Sequence, residues 1–352
     1  MNVLTLPARA EVAVEWLQPD GAAEWDAYAA AHPDGTFFHR AAWRDILGRL
    51  PGFHPHYLLV RRRGCIAGVL PLVRVRSPWF GEALVSLPFC VEAGVLASDE
   101  ASEDALLANA SALASFQSVD WLELRHRRAH RPDWPSNSDT YAVFRRALAA
   151  SAADAFAAIP RKQRAMIRKA NSFGLTSVEE SSLEHFWPIY ATSVRNLGTP
   201  VFPRRYFADL LTTFGNAARV TTVFDGDAPV ASVLSFVHEG CVLPYYGGGL
   251  PQARRLNAFD FLYWEVMRRA VDEGLHTFDF GRSKRGTGAF DFKRHWGFEP
   301  SPLCYEYRLL RARAVPRRHP GNPRFRLAVS LWKHLPLAVA NRLGPLVSPY
   351  LA

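Results

Sequence analysis

The chain has 352 residues, 49% of them hydrophobic and 21% charged, a composition of globular type with room for two domains of ordinary size. No run reaches the roughly 18–20 apolar residues that span a bilayer, and the start lacks the basic-then-apolar pattern of a secretory signal. Cys65, Cys90, Cys241 and Cys304 are scattered, with no CxxC pair and no histidine at ligand spacing, so a reducing, cytoplasmic setting without a structural metal is expected.

The formal net charge of +9 is unevenly spread. Beyond Glu306 there is no Asp or Glu, while Arg308, Arg311, Arg313, Arg317, Arg318, Arg324, Arg326, Lys333 and Arg342 supply nine positive charges. The first 306 residues are therefore neutral, and attraction to a membrane or nucleic acid has to come from the tail or from local clusters.

In chain order, Trp25, Tyr28, the Gly35-Thr36 pair and Trp43 return at a nearly constant offset as Trp187, Tyr190, Gly198-Thr199 and Tyr206. YLLV (57–60), a basic turn ending at Gly64, and IAGVLPLV (66–73) predict a β-hairpin. ARVTTVFDGDAPVASVLSFV (218–237) predicts a second, turning at Asp225-Gly226. Each hairpin precedes another strand, a helix and a further strand, WLEL (121–124) or TFDF (277–280), which puts Glu123 and Asp279 at matching positions. Two copies this long read as two similar α/β domains with mixed sheets, over 1–150 and 151–312, followed by a tail over 313–352.

Three segments of the second copy carry candidate chemistry. PRKQRAMIRKA (160–170) predicts a helix with Pro at its start. Arg161, Arg164 and Arg168 share a face with Lys162 beside it, suited to nucleic-acid or pyrophosphate charge or simply to solvent. YYGGGLPQARR (245–255) opens through Gly247, Gly248 and Gly249 towards a helix from Asn257, read as its N-cap, to about Gly274. That opening is either an approach route for an anionic substrate or a plain turn. The stripe of Phe259, Leu262, Tyr263, Val266, Met267, Ala270 and Val271 along the helix is core packing. Neither GxGxxG nor GxxxxGK[ST] occurs, so dinucleotide and P-loop chemistry have no support.

DFGRSKRGTGAFDFKRHWGFEP (279–300) sets Lys293 between Phe292 and Trp296, where a lysine would stabilise charge developing on a carbonyl oxygen. Arg282, Lys284 and Arg285 read either as phosphate ligands or as solvated loop charges. Asp279 reads either as a group that orients or deprotonates an amine or as a buried partner of Arg282. Residues 325–352 predict a Pro-interrupted amphipathic helix, with Leu327, Leu331, Trp332 and Leu335 against Arg324, Arg326, Lys333 and His334. It fits an anionic membrane surface, or docks on a domain.

Taken together, the IRKA helix, Thr192–Arg195, Arg205-Tyr206-Phe207, VASVLSFV, Tyr245-Tyr246-Gly247 and FKRHWGF resemble FemAB-like proteins, relatives of the aminoacyltransferases that build peptidoglycan interpeptide bridges. FFHRAAWR, LPFCVEAGV and YYGGGLPQARRLNAFDFLYWEVMRRA look most like FemAB-related proteins of exosortase (PEP-CTERM) and exopolysaccharide gene clusters. The likeness covers roughly residues 20–310.

The resemblance implies two tandem domains of the GNAT acyltransferase fold and transfer of an acyl or aminoacyl group to an amine of a sugar- or peptide-containing, lipid-linked envelope or exopolysaccharide precursor. It implies no tightly bound cofactor, the acyl donor being a co-substrate, either aminoacyl-tRNA or acyl-CoA. Lys293 matches the family lysine at the acyl-transfer centre and Phe292 its neighbour, while Trp296 replaces the usual Phe. Arg195 and Tyr206 match contacts to acceptor phosphates, and Arg205, Tyr245 and Tyr246 lie beside them. His39 stands where Gln is common, no lysine matches the first domain's acceptor ligand, and no Q/R-x-x-G-x-G/A loop is present, which disfavours acetyl-CoA. The alternatives are an acetyl-CoA-dependent enzyme acting on a polysaccharide precursor and a non-catalytic envelope-assembly partner.

Overall fold

A computed structural model describes residues 13–315 and 323–351. The first half runs β1 (Ala13–Trp16), α1 (Ala22–Ala31), α2 (Trp43–Gly48), β2 (Phe53–Arg62), β3 (Cys65–Ser77), β4 (Gly81–Val85), β5 (Leu96–Ala97), α3 (Glu100–Phe116), β6 (Trp121–His126) and β7 (Ser136–Asn137). There follow β8 (Tyr141–Ala147), α4 (Ala152–Ala157), α5 (Arg161–Ser172), β9 (Thr176–Glu180), α6 (Phe186–Leu197), α7 (Arg204–Phe214), β10 (Ala218–Asp225), β11 (Ala228–His238) and β12 (Cys241–Gly249). The chain continues through α8 (Ala258–Asp272), β13 (Thr277–Lys284), α9 (Gly288–His295), β14 (Pro300–Pro302), β15 (Cys304–Leu309), α10 (Pro323–His334) and α11 (Leu337–Val347).

The duplication read from sequence is present in the elements. The order strand, two helices, hairpin, strand, helix, strand from β1 to β6 recurs from β9 to β13. Trp25 and Tyr28 sit on α1 as Trp187 and Tyr190 sit on α6, and Trp43 opens α2 where Tyr206 lies in the first turn of α7. The sheets run β1-β2-β3-β4-β6-β15-β7, with β5 also paired to β3, and β9-β10-β11-β12-β13-β8-β14. Each has one parallel junction, β4 with β6 and β12 with β13, because in each copy a helix crosses over between those strands. Arg63 and Gly64 close the first hairpin with φ of 52° and 83°, the left-handed pair whose twist matches that of the strands. The second turns at Gly226-Asp227, one residue later than expected, between the paired Asp225 and Ala228.

The boundaries differ from those expected at 150 and 312. The strand following β6, β8, pairs with β13, and the strand following β13, β15, returns to pair with β6. Among the described residues the compact units are therefore 13–136 with 304–315, and 137–303 with 323–351. The order of residues along the chain does not say which sheet takes either strand.

In the first unit Leu58, Val60, Leu70, Leu84 and Leu122 pack against Leu106, Leu107, Ala110 and Ala114 of α3, which Asp99 caps by accepting the Ser102 N–H at 2.9 Å. In the second, one sheet face carries α4, α5 and α8, with Phe144, Val233, Val242, Phe278 and Phe280 beneath Ile159, Ile167, Leu262 and Met267. The other face carries α6 and α7.

Two local expectations are corrected. Gly247, Gly248 and Gly249 are not a flexible turn: they are the last residues of β12, paired with Val233, Ser232 and Ala231. A Cβ on Gly248 would lie 2.9 Å from the Tyr190 Cα of α6, and one on Gly249 would lie 2.6 Å from the Phe259 ring of α8, so the run lets helices close on both sheet faces. Asn257 precedes α8, but with φ 52° its side chain makes no capping hydrogen bond. It serves as a non-glycine residue that tolerates the left-handed region.

Candidate functional site

β12 and β13 are paired only at Cys241–Thr277 and Val242–Phe278. Beyond that, β12 follows β11 to Gly249 and β13 follows β8 to Lys284, so the two strands separate. The sequence supplies the causes. Pro244 has no N–H to donate. Tyr245 is the extra residue of a bulge, since Leu234 pairs with Tyr246 and Ser235 with Pro244. On β13, Asp279 opposes Arg145 and Arg282 opposes Val143, leaving Phe280 and Gly281 to face Phe144 together. Gly281 takes φ 67°, which a side chain would resist, and the Tyr245 ring is the group nearest to where its Cβ would stand, at 3.9 Å.

The β13 bulge is held by two opposite charges. Asp279, 3% exposed, accepts the Gly281 N–H at 2.7 Å through Oδ1. Its Oδ2 accepts Arg145 Nε at 3.0 Å and Nη2 at 2.8 Å. From α9, Lys293 Nζ donates to the carbonyls of Phe280, Gly281 and Arg282 at 2.6, 3.1 and 3.2 Å and stands 5.6 Å from the Phe144 ring centroid. Burial pulls the Lys293 pKa from 10.5 to about 7; the Asp279 charge resists the fall and Arg282 adds to it. The ammonium has three donors and all three are engaged, whereas the neutral amine would have two for three carbonyls. Protonation of Lys293 and the shape of the bulge are thus linked.

A second group is aromatic. Tyr206 Oη and Tyr246 Oη are 2.8 Å apart and buried. They are enclosed by Tyr190, Phe202 and Phe207, and Tyr245 stacks edge-on to Tyr246 at 4.8 Å. Burial holds the Tyr246 phenol well above its usual pKa, so it acts as a neutral hydrogen-bonding group.

Of the residues named from sequence, Asp279, Arg282 and Lys293 meet at the bulge with Tyr245 across the gap. Tyr206 and Tyr246 meet beside it on β12 and α7. Asp279 pairs with Arg145 rather than with Arg282, whose guanidinium lies 4.6 Å over the Tyr141 ring. Phe292 is half-buried against Tyr263 and Phe280. Trp296 is fully buried in the core, its indole N–H donating to Asp260 at 3.1 Å, so it lines no cleft. Arg195 donates to the Lys333 carbonyl on α10 at 3.1 Å, and Arg205 points outward, 3.9 Å from Asp209. On α5, Gln163, Ile167 and Ala170 face inward and Arg161, Lys162 and Arg168 outward. Arg164 is half-buried, and Arg168 stacks over Phe156 at 5.3 Å.

Sequence reasoning missed Arg145 and Asp260. Arg145 lies in a strand assigned to the wrong domain, so its partner could not be sought. Asp260 stands in the first turn of α8, and burial raises its carboxyl from 3.8 to about 6 against the lowering effect of the Trp296 hydrogen bond. An acid just inside a helix start was the available signal.

Residues 157–294 match the acetyltransferase (GNAT) domain family. No curated protein matches the sequence. Among solved structures the chain is similar to FemX, with 14% identity, covering 85% of this chain and 98% of that one at a TM-score of 0.63. It is also similar to a tandem GNAT protein from the clavulanic acid biosynthesis pathway, with 15% identity, 85% and 98% coverage and a TM-score of 0.54. A third is the C-terminal domain of a putative lysylphosphatidylglycerol synthetase from Agrobacterium fabrum, with 12% identity, 82% and 91% coverage and a TM-score of 0.55. Identities this low speak to fold. With the repeated element order and the family match, they establish a mixed α/β protein of two GNAT-like domains. Its fold class is that of GNAT acyltransferases, with FemX and tandem GNAT proteins as structural neighbours.

Proposed function

We propose that the protein is an N-acyltransferase of the FemAB type, acting in the cytoplasm or on the inner face of the cell membrane. It would transfer an aminoacyl group from an activated ester, such as that of aminoacyl-tRNA, to an amine of a cell-envelope or exopolysaccharide precursor. The observation that carries this reading is the gap between β12 and β13, bordered by a bulge that Asp279 and Lys293 hold in one shape. A gap between two strands accepts an extended acyl chain, and holding amine and carbonyl in register supplies much of the acceleration.

In this reading the amine nitrogen attacks the ester carbonyl, the C–O bond to the donor breaks, and the nitrogen's proton leaves with the donor hydroxyl. While protonated, Lys293 provides positive charge for the oxyanion by exchanging its longest carbonyl contact, the 3.2 Å one to Arg282. Asp279, with both oxygens engaged, is a poor base and acts as the anchor of the bulge. Tyr206, Tyr246 and Tyr245 form the acceptor side with Arg195 and Arg205. Arg161, Lys162, Arg164 and Arg168 meet donor phosphates. Tyr245, Arg282 and Phe292 border the acyl group.

An acetyl-CoA donor is the second reading, favoured by the acetyltransferase family match over 157–294. It would place CoA near 247–257. Against it, Asp260 already sets a carboxylate in the first turn of α8, where a CoA phosphate would otherwise be favoured.

Protection against thermal unfolding separates the two. A donor at about 100 times its Kd adds about 2.7 kcal/mol, a shift of several degrees. Protection by aminoacyl-tRNA and not by acetyl-CoA is expected. The reverse result selects the second reading, and protection by neither removes both donors.

A further inference from the structure

We infer that α10 and α11 together present a face that docks on an anionic lipid surface. Both helices are anchored to the second unit by one side only. On α10, Val329 packs against Gly198 at the end of α6, and the Lys333 carbonyl accepts the Arg195 guanidinium. On α11, the buried Ala340 and Gly344 fall one turn apart, with Gly344 pressed on Val201 so closely that a Cβ would lie 2.9 Å from its main chain. The side turned away from these contacts is apolar. Leu327 and Leu331, one turn apart on α10, are 69% and 61% exposed. Val339, Leu343 and Leu346, spaced i, i+4, i+7 on α11, are 41%, 40% and 64% exposed.

Five large aliphatic side chains kept in water by two helices already packed on their other sides mark a surface with a partner. Charge identifies which partner. His334 and Arg342 flank the stripe and are exposed, Lys333 is exposed at the edge of the anchored side with its Cε beside Gly198, and no Asp or Glu occurs anywhere after Glu306. A second copy of this face would bring like charge against like. A nucleic acid would meet the cations and leave the leucines in water. An anionic bilayer surface takes both, cations at the headgroups and leucines at the acyl boundary. No described helix is long and apolar enough to cross a membrane, so the helices would lie in the plane of the surface. Such docking would bring a lipid-linked acceptor within reach, but it rests on the tail alone, and a chain without transferase activity would bind in the same way.

The test is co-sedimentation of the full chain with vesicles of phosphatidylcholine containing phosphatidylglycerol and with vesicles of phosphatidylcholine alone. Binding to the anionic vesicles, weakened by salt, is expected. The variant L327S/L331S/L343S/L346S should bind at least tenfold more weakly, and K333E/R342E more than about tenfold more weakly, each charge near the surface being worth roughly fivefold. All six side chains are exposed, so melting temperatures should stay near that of the parent and confirm folded variants. Equal binding of the parent to neutral vesicles, unchanged binding of the serine variant, or absence of binding to the anionic vesicles overturns the proposal. A parent that self-associates without lipid, and a serine variant that does not, would overturn it in favour of a second copy.

Discussion

Asp279 is bound by Arg145, a residue 134 positions earlier in the chain, through both Nε and Nη2 of the guanidinium. Arg145 sits on β8, the strand that leaves the first half of the sequence to join the second sheet, so the bulge at the candidate site is secured by that exchanged strand. Replacing Arg145 by Ala leaves a carboxylate, 4% exposed, with only the Gly281 N–H. Because the guanidinium is itself about a third exposed, water relieves part of the loss, and a cost of about 2 kcal/mol is expected rather than the 3–5 of a fully buried pair. Chemical denaturation of R145A against the parent measures it; a change below about 0.5 kcal/mol would show that the pair carries little.

Lys293 should govern the pH profile of transfer. Its folded pKa of about 7 lies below the unfolded 10.5, so the native ammonium gives up its proton as pH rises through 7. If that charge serves the oxyanion, turnover falls above pH 7. The falling limb disappears in Lys293→Arg, whose charge does not titrate there, and Lys293→Ala loses roughly a hundredfold at neutral pH. The same shift makes the folded state bind fewer protons than the unfolded between about pH 7 and 10.5, so this group's contribution to stability rises across that window. An Ala variant with parental turnover would limit Lys293 to holding the bulge.

Asp260 has the opposite displacement. Its carboxyl is held up at about 6 by burial, against 3.8 when unfolded. The folded state therefore retains a proton that the unfolded chain has lost, and stability from this group, full below pH 3.8, is lost as pH rises through 6. Asp260→Asn keeps an oxygen for the Trp296 indole and removes the titration. It should raise stability by on the order of 1–2 kcal/mol at pH 8 and change little near pH 4. Melting temperatures at the two pH values decide, and a gain of the same size at both would contradict the account.

Gly248 tests the packing of α6 on β12. The neighbours of a new Cβ are the Tyr190 Cα at 2.9 Å and the Ser193 Cβ at 3.0 Å, which belong to the helix body and not to a flexible side-chain end. Gly248→Ala should cost about 1–3 kcal/mol through overpacking, and Gly286→Ala, where nothing lies within 4 Å but φ is 73°, provides a control for backbone strain alone. Denaturant midpoints compare them.

Much of the site could be located from local pattern but not its connections. Lys293, Asp279, Arg282 and Tyr245 were legible because strand ends and aromatic neighbours mark them. Their partners were not. Spacing alone could not tell that Lys293 Nζ would be occupied by three main-chain carbonyls, nor that Trp296 would turn into the core while Lys293, three residues before it on the same helical turn, turned to the strand. Tyr206 and Tyr246 were both named, but their 2.8 Å contact depends on α7 closing over β12.

The duplication, the two hairpins, the helix of α5, the core stripe of α8 and the charge of the tail were determined by sequence, because side-chain periodicity and turn chemistry act over a few residues and leave a local trace. Tertiary structure decided the sheet that receives β8 and β15, the parting of β12 from β13, the partner of Asp279 and the pKa of Lys293. These follow from which distant segments close on one another, since strand pairing, desolvation and charge contact depend on distance in space, which the order of residues along a chain does not contain.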